Sequence, residues 1–154
     1  MPQYVVRAVN LPSDPFIRGY PECAEWAGID DSGAWCEKCE EFRDDQVECP
    51  GCGEWLYSDR ENFEESLAPK WSEETLKRVT AECEDFKSAN ASDLEGEDMG
   101  RAGHDFYLTR NRHGAGFWDG DYEKEKGERL TEAAHAYGET HESFNYETET
   151  LESN

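Results

Sequence analysis

The chain has 154 residues, with 37 acidic and 15 basic side chains and a formal net charge of −22. This charge repels nucleic-acid phosphates and argues against direct nucleic-acid binding, whereas the scarcity of lysine suits a protein that stays hydrated in concentrated salt. No apolar run is long enough to span a bilayer, and the N-terminus lacks the basic and apolar blocks of a signal peptide. We therefore expect an intracellular protein that makes no membrane contact, with a core built largely from nineteen aromatic side chains.

The first predicted elements are a short strand over Tyr4–Val9 and a helix after it. Pro21 suits the first turn of a helix and not its interior, so we expect the regular part of this helix to begin there and end near Gly28. Four apolar residues share one helical face over this stretch: Phe16, Tyr20, Cys23 and Ala27.

Two close cysteine pairs follow, Cys36-Glu-Lys-Cys39 and Cys49-Pro-Gly-Cys52, separated by enough residues for a short hairpin. Four converging thiolates form a closed tetrahedral zinc site, which is structural because no coordination position stays open. Two disulfide bridges are the alternative, and a reducing compartment favours zinc. We expect a zinc-ribbon-like hairpin over residues 34–57, with zinc as the cofactor and an apolar lining of Trp35, Phe42, Val47, Trp55 and Tyr57.

The clearest predicted helix runs from Ser72 to about Ala89, because Ser72 can cap the first turn. Its core-facing stripe is predicted to be Leu76, Val79, Cys83 and Phe86. Cys83, like Cys23, lies on an apolar helical face, so both are expected to be small buried residues without a reactive role.

The acidic background is interrupted over Gly103–Asp119, where a polar β-hairpin is predicted. Alternation predicts one strand over His104–Arg110, and a glycine-containing turn leads to a second strand over Phe117–Tyr122. The hairpin carries the candidate binding surface: His104, Arg110, Asn111, Arg112, His113, Trp118 and Asp119.

Catalysis at this hairpin is the less favoured interpretation. His104 and Asp105 are neighbours on a strand and would point to opposite faces. His113, Arg110 and Asp119 could converge at the turn as a base, an oxyanion clamp and a carboxylate. However, no nucleophile stands nearby, so we expect a hairpin that is held by internal hydrogen bonds or binds a partner, without catalytic residues.

The last predicted helix covers Glu125–Gly138, with Leu130, Ala133, Ala134 and Tyr137 facing inward. Residues 139–154 contain five acids and no lysine or arginine, and we expect them to form a mobile acidic tail. The predicted organisation is one small domain over residues 1–138 followed by this tail.

The hairpin segment also carries a resemblance to a known family. Gly103-His-Asp-Phe-Tyr-Leu-Thr-Arg-Asn111, followed by His113-Gly-Ala-Gly-Phe-Trp-Asp119, resembles a family of uncharacterised proteins from tailed viruses of prokaryotes. The resemblance extends over about two-thirds of the chain, and the cysteine hairpin is an insertion relative to that family. It implies a viral protein in the cytoplasm of a host cell, and a salt-loving host would account for the acidic composition.

The sequence thus predicts an α+β fold, with two or three helices packed on a short antiparallel sheet and a zinc hairpin at one side. The expected function is that of a non-enzymatic, virus-encoded accessory protein that contacts a host or viral protein. One alternative is an enzyme that uses His104, Arg110, His113 and Asp119. Another is an acidic decoy that imitates DNA and inhibits a host DNA-binding protein. The sequence does not indicate the oligomeric state.

Overall fold

The computed structural model describes residues 7–29, 33–36, 38–44, 48–54, 56 and 58–154. Over these residues the chain is a mixture of helices and small sheets, which confirms the predicted α+β class. None of the described helices is both long enough and apolar enough to cross a membrane. The elements are, in chain order, α1 (Pro15–Ala27), β1 (Gly33–Cys36), β2 (Glu41–Asp44), α2 (Asp59–Glu65), β3 (Lys70–Trp71), α3 (Glu73–Ala89), α4 (Ala91–Leu94), α5 (Met99–Arg110), α6 (Lys124–His135), β4 (Glu142–Asn145) and β5 (Thr150–Ser153).

Helix α1 begins well before the predicted start. Oδ1 of Asp14 caps it by accepting hydrogen bonds from the N–H groups of Phe16 at 3.0 Å and Ile17 at 3.1 Å, and Pro15 occupies the first turn. Pro21 lies inside the helix, so the prediction of a start at Pro21 is wrong. The cap and the buried face of the early turns outweigh the one hydrogen bond that a proline cannot donate.

The residues predicted as a polar β-hairpin form the second half of helix α5 and the loop after it. The predicted strands over His104–Arg110 and Phe117–Tyr122 are therefore wrong. Most residues of α5 from the second turn onward are buried. A helix is recognised in a sequence by the contrast between an apolar and a polar face, and this contrast is weak in a helix that is buried on most sides. The buried set is Ala102, Gly103, Asp105, Phe106, Tyr107, Thr109 and Arg110.

Helices α1 and α5 cross with their backbones in contact. A Cβ atom placed on Gly103 would lie 2.2 Å from the carbonyl oxygen of Phe16, and one placed on Gly19 would lie 2.3 Å from the carbonyl oxygen of Gly100. Only glycine fits at Gly19 and Gly103 without moving a helix. The crossing explains why both helices contain glycine despite its low helix propensity.

Aromatic rings fill the centre of the main core. Phe86 of α3 stacks on Phe106 of α5 with ring centroids 4.2 Å apart, and on Phe117 of the following loop at 5.7 Å. Tyr137 meets the ring of Phe106 edge-on at 5.1 Å. Such pairs contribute roughly 0.5–1.5 kcal/mol each beyond the area that they bury.

The helices predicted over Ser72–Ala89 and Glu125–Gly138 are confirmed as α3 and α6, with ends that differ by a few residues. Ser72 caps α3, because its Oγ accepts a hydrogen bond from the N–H of Thr75 at 3.2 Å. Burial raises the pKa of the Cys23 and Cys83 thiols, in keeping with small, inert core residues. The predicted inward-facing residues all belong to the main core: Leu76, Val79, Cys83, Phe86, Leu130, Ala133, Ala134 and Tyr137.

The main sheet is mixed and has the strand order β3-β5-β4, with β5 parallel to β3 and antiparallel to β4. Residues 139–154 supply two of its strands, so the prediction that they form a tail outside a domain ending at residue 138 is wrong. Phe144 and Leu151 face each other across the hairpin and are buried, and the ring of Phe144 packs edge-on against Phe63 at 5.8 Å. Glu142 and Ser153, which also pair across the hairpin, are buried beside them, so the inner face of the hairpin is half apolar and half polar.

The predicted strand over Tyr4–Val9 lies partly outside the described residues. Its described part, Arg7–Val9, is not a strand. The N–H of Val9 nevertheless donates to the carbonyl oxygen of Pro69 at 3.0 Å, so the segment runs beside the loop that leads into β3.

Candidate metal centre

The first cysteine pair lies on the β1–β2 hairpin. Cys36 ends β1 and pairs with Glu41, the first residue of β2, so that the tight turn between the strands carries Cys39. Glu40, the residue after Cys39, has a positive φ of 53°. This left-handed residue reverses the chain directly behind the second sulfur of the pair.

The second pair lies on a separate turn with the same design. The N–H of Gly53 donates to the carbonyl oxygen of Cys49 at 2.8 Å, and the N–H of Cys49 donates to the carbonyl oxygen of Glu54 at 2.8 Å. Gly53, the residue after Cys52, has a φ of 77°. Each Cys-x-x-Cys pair is thus followed by a left-handed residue, and the two turns present their sulfurs to a common centre.

All four sulfur atoms lie within 4.8 Å of one another, so Cys36, Cys39, Cys49 and Cys52 could hold a metal ion. The Sγ atoms of Cys36 and Cys52 are 3.6 Å apart, and those of Cys39 and Cys49 are 3.7 Å apart. A regular tetrahedron with zinc–sulfur bonds of about 2.3 Å has sulfur–sulfur edges of about 3.8 Å. None of the four cysteines forms a disulfide, so the donor set fits a tetrahedral thiophilic cation.

The neighbours of Cys52 act on the pKa of its thiol in both directions. The main-chain N–H of Glu54 hydrogen-bonds Cys52 and lowers the pKa of its thiol, whereas burial and the thiols of Cys36 and Cys49 raise it, so that the pKa lies above its ordinary value. A bound cation reverses that balance, because a coordinated thiol loses its proton.

The centre has its own small core, separate from the main one. Cys36, Cys49 and Leu56 are buried together, with Cys39 and Cys52 packed against them. The predicted lining side chains, which are those of Trp35, Phe42, Val47, Trp55 and Tyr57, lie outside the described part of the structure. A cation bound by the four cysteines would tie the two turns of this small core together.

Arg110, a member of the predicted binding surface, is in fact a core residue with 3% of its surface exposed. Its guanidinium donates to Glu82 Oε2 at 2.5 Å and to the carbonyl oxygens of Tyr137 at 3.0 Å and Gly138 at 2.9 Å. The rings of Phe106 and Tyr137 each lie 5.7 Å from its central carbon. Arg110 therefore ties α5 to α3 and to the end of α6 and presents no guanidinium to a ligand.

Asn111 and His113 lie together at a small pocket of about 250 Å³ between α1, the end of α5 and the approach to β4. Asn111 Oδ1 accepts a hydrogen bond from the N–H of Thr140 at 2.6 Å. The single hydroxyl proton of Thr140 is shared between Oε1 of Glu142 at 2.8 Å and Asn111 Oδ1 at 3.1 Å. His113 packs against the ring of Tyr107 with centroids 5.8 Å apart. The polar groups of Asn111, Thr140 and Glu142 hold the C-terminal hairpin onto α5.

The other members of the predicted surface are spread over separate environments. Asp119 accepts a hydrogen bond from the N–H of Gly116 in its own loop at 3.3 Å, and His104 Nε2 lies 3.5 Å from a carboxylate oxygen of Glu22. Arg112 and Trp118 are exposed. The structure thus places Asn111 and His113 at one pocket but does not assemble His104, Arg110, His113 and Asp119 into one site.

The hydrogen-bond partners of Arg110 and Asn111 were not predicted from the sequence. Glu142 and Thr140 lie in the segment predicted as a tail, and no local pattern pairs Glu82 with Arg110. No apolar alternation identifies the strands in the sequence, because Glu142 takes the inward position that precedes Phe144 in β4 and Ser153 the one that follows Leu151 in β5. No family model, curated protein or solved structure significantly matches the chain.

Proposed function

We propose that the chain is a small virus-encoded accessory protein, stabilised by a structural zinc ion, that acts through protein contacts and not by catalysis. The observation that carries the proposal is the convergence of four free cysteine sulfurs within 4.8 Å of one another. Four cysteine ligands leave no open position for substrate or water, so a zinc ion held by them has a structural role.

The absence of catalysis in this proposal is supported by what the candidate catalytic side chains do. The guanidinium of Arg110 donates hydrogen bonds to Glu82 and to two carbonyl oxygens, and the carboxylate of Asp119 accepts one from the N–H of Gly116 in its own loop. A catalytic base, an anion clamp and a carboxylate have to face one reacting centre. The resemblance of Gly103–Asp119 to a family of viral proteins supports the setting in an infected cell.

The metal part of the proposal is tested by elemental analysis of the purified full chain. We expect one zinc ion per chain, lost in Cys49→Ser and retained in Cys83→Ser, which alters a buried cysteine outside the cluster. A metal-free wild-type chain, or a chain with these sulfurs oxidised in pairs, would contradict it.

The contact part is tested by cross-linking and affinity capture from cells that express the chain. We expect a specific partner that is retained by the double variant His113→Ala, Asp119→Ala, because these side chains serve the fold and not a reaction. Turnover of a substrate that this double variant abolishes, without a change in thermal stability, would favour the enzyme instead.

A further inference from the structure

Three large apolar side chains are exposed on neighbouring segments at one end of the main sheet: Val9, Leu67 and Tyr146. Leu67 is 98% exposed, Val9 68% and Tyr146 55%. A single exposed apolar residue is ordinary, whereas several on adjoining segments indicate a contact surface. We call these three residues the loop-end patch.

Hydrogen bonds hold the three segments side by side. The hydroxyl of Ser66, next to Leu67, donates to Oε1 of Glu149 at 2.5 Å, in the tight turn that begins with Tyr146. On the other side of Leu67, the carbonyl oxygen of Pro69 accepts from the N–H of Val9 at 3.0 Å. The loop that carries Leu67 is thus fixed between the turn of the β4–β5 hairpin and the N-terminal segment.

Arg7 also fixes the loop that carries Leu67. Its guanidinium donates to the carbonyl oxygens of Phe63 at 3.3 Å and Ser66 at 2.6 Å, and its central carbon lies 5.8 Å from the centre of the Phe63 ring. Because hydrogen bonds fix the loop at several points, Leu67 is exposed on an ordered backbone. Binding at Leu67 would therefore cost little conformational entropy.

The surroundings of the patch are acidic. Glu64 and Glu65 at the end of α2 are exposed, as are Glu147 and Glu149 in the hairpin turn. Among the described residues, Lys70 is exposed beside them, whereas the guanidinium of Arg7 donates to two carbonyl oxygens. The patch is therefore an apolar surface bordered by carboxylates.

We propose that the loop-end patch is the docking surface for a basic segment of another protein, in which lysines or arginines flank an apolar anchor residue. The inference rests on the proposed function and names the surface and the chemistry of the partner. Charge complementarity selects this occupant, because cations of the segment face the border glutamates while its apolar side chain covers Leu67. A second copy of the chain is disfavoured, since each copy carries a formal charge of −22.

The test uses the full zinc-loaded chain and a synthetic amphipathic peptide of lysine and leucine. Isotope-labelled protein is titrated with the peptide, and backbone amide shifts are followed by NMR. We expect the shifts to concentrate around the loop-end patch, and Leu67→Asp to weaken binding roughly tenfold or more. A peptide of the same pattern with glutamate in place of lysine should not bind, and added salt should weaken binding of the lysine peptide.

Trp118→Asp is the matched control, because Trp118 is also an exposed large apolar residue (52%) but lies in the loop after α5. Leu67 is almost wholly exposed, so Leu67→Asp should not alter the melting temperature. Equal binding by Leu67→Asp and wild type, or weaker binding by Trp118→Asp alone, would refute the patch. Salt-dependent self-association through Leu67 would refute it in favour of a second copy.

The outcomes for the patch and for the proposed function can be separated. If a cellular partner is captured equally well by wild type and Leu67→Asp, the surface assignment fails and the contact function stands. If no partner is captured although the peptide binds at the patch, the proposed function fails.

Discussion

The side-chain amide of Asn10 pairs with the main chain of Trp71 as a neighbouring strand would. Asn10 Nδ2 donates to the carbonyl oxygen of Trp71 at 2.8 Å, and the N–H of Trp71 donates to Asn10 Oδ1 at 2.9 Å. Trp71 lies in β3, an edge strand of the main sheet, so one side chain satisfies both exposed main-chain groups of this residue. At the opposite edge, a carboxylate oxygen of Asp59 accepts from the N–H of Phe144 in β4.

Asn10→Asp should destabilise the fold by about 2 kcal/mol, because the carboxylate cannot donate to the Trp71 carbonyl and leaves it facing a like partial charge. Asn145→Asp is the matched control. Asn145 only accepts hydrogen bonds through Oδ1, from the N–H groups of Glu147 and Thr148, and an aspartate can accept both. Denaturant unfolding should show a lower midpoint for the first variant only, and equal midpoints would show that the amide pairing contributes nothing.

Gly103→Ala should destabilise the protein by about 2 kcal/mol even though alanine favours helices. The new Cβ would meet the carbonyl oxygen of Phe16 at 2.2 Å, and backbone cannot swing aside as a side chain can. Gly100→Ala in the same helix is the comparison, since its Cβ meets no atom closer than 3.4 Å. We expect that variant to melt at or above the wild-type temperature, and similar losses in both would argue against the close crossing of α1 and α5.

Arg110→Lys should cost about 3 kcal/mol although it preserves the charge, because lysine cannot reproduce the planar set of donors to Glu82 and two carbonyl oxygens. Hydrogen exchange should accelerate first in residues 137–142, which follow the carbonyls that Arg110 holds. The exposed Arg112→Lys should leave stability and exchange unchanged. Wild-type stability of Arg110→Lys would show that these hydrogen bonds contribute nothing to the fold, and Arg110 would again be a candidate for ligand binding.

These contacts show what the sequence could and could not predict. The cysteine cluster was predictable because Cys-x-x-Cys spacing fixes the geometry of each pair locally, so only the meeting of two pairs remained open. Helix α3 was predictable because its cap and its apolar stripe occur in one continuous segment. Both signals involve residues a few positions apart.

The contacts that could not be predicted join residues far apart in the chain. From the sequence alone, Gly103 is expected to disfavour a helix, and its role becomes clear only from the contact with the backbone of α1. Arg110 is likewise expected at the surface, and only the structure shows that it binds Glu82 and the carbonyl oxygens of Tyr137 and Gly138. The acidic residues 139–154 carry only two apolar core side chains, Phe144 and Leu151. Their strand character follows from a sheet that they complete and not from their composition.

Stability should fall as the pH rises from 5 to 8, and Glu25 should be a major cause. Burial raises the pKa of Glu25 to about 7 from an ordinary value of 4.5, although Oε1 accepts hydrogen bonds from the N–H groups of Arg7 and Ala8. Oε2 has no hydrogen-bond partner among the residues that the structure describes. Because the folded state keeps a proton that the unfolded chain loses, stability is lost between pH 4.5 and 7 and levels off above that range. The loss is on the order of 3 kcal/mol.

Burial also raises the pKa of Asp105 and Glu142, which adds a loss of the same sign. Glu25→Gln isolates the contribution of Glu25, since glutamine has a similar shape and cannot ionise. The difference in unfolding free energy between variant and wild type should shift by about 2.5 kcal/mol in favour of the variant from pH 5 to pH 8. A difference that does not change with pH would show that Glu25 ionises without penalty.

Glu40→Gly should stabilise the cysteine hairpin by about 0.5–1 kcal/mol, because glycine adopts the left-handed φ of 53° without strain. Gly53→Ala is the converse variant at the equivalent position of the second pair. The nearest atom to its Cβ would be a carboxylate oxygen of Glu48 at 3.8 Å, so its cost is conformational and not steric. Competition with a zinc-binding dye should show tighter zinc binding in the first variant and weaker binding in the second. Effects reversed in both variants would mean that the two Cys-x-x-Cys turns do not share one design, and the convergence of the four sulfurs would lose its backbone explanation.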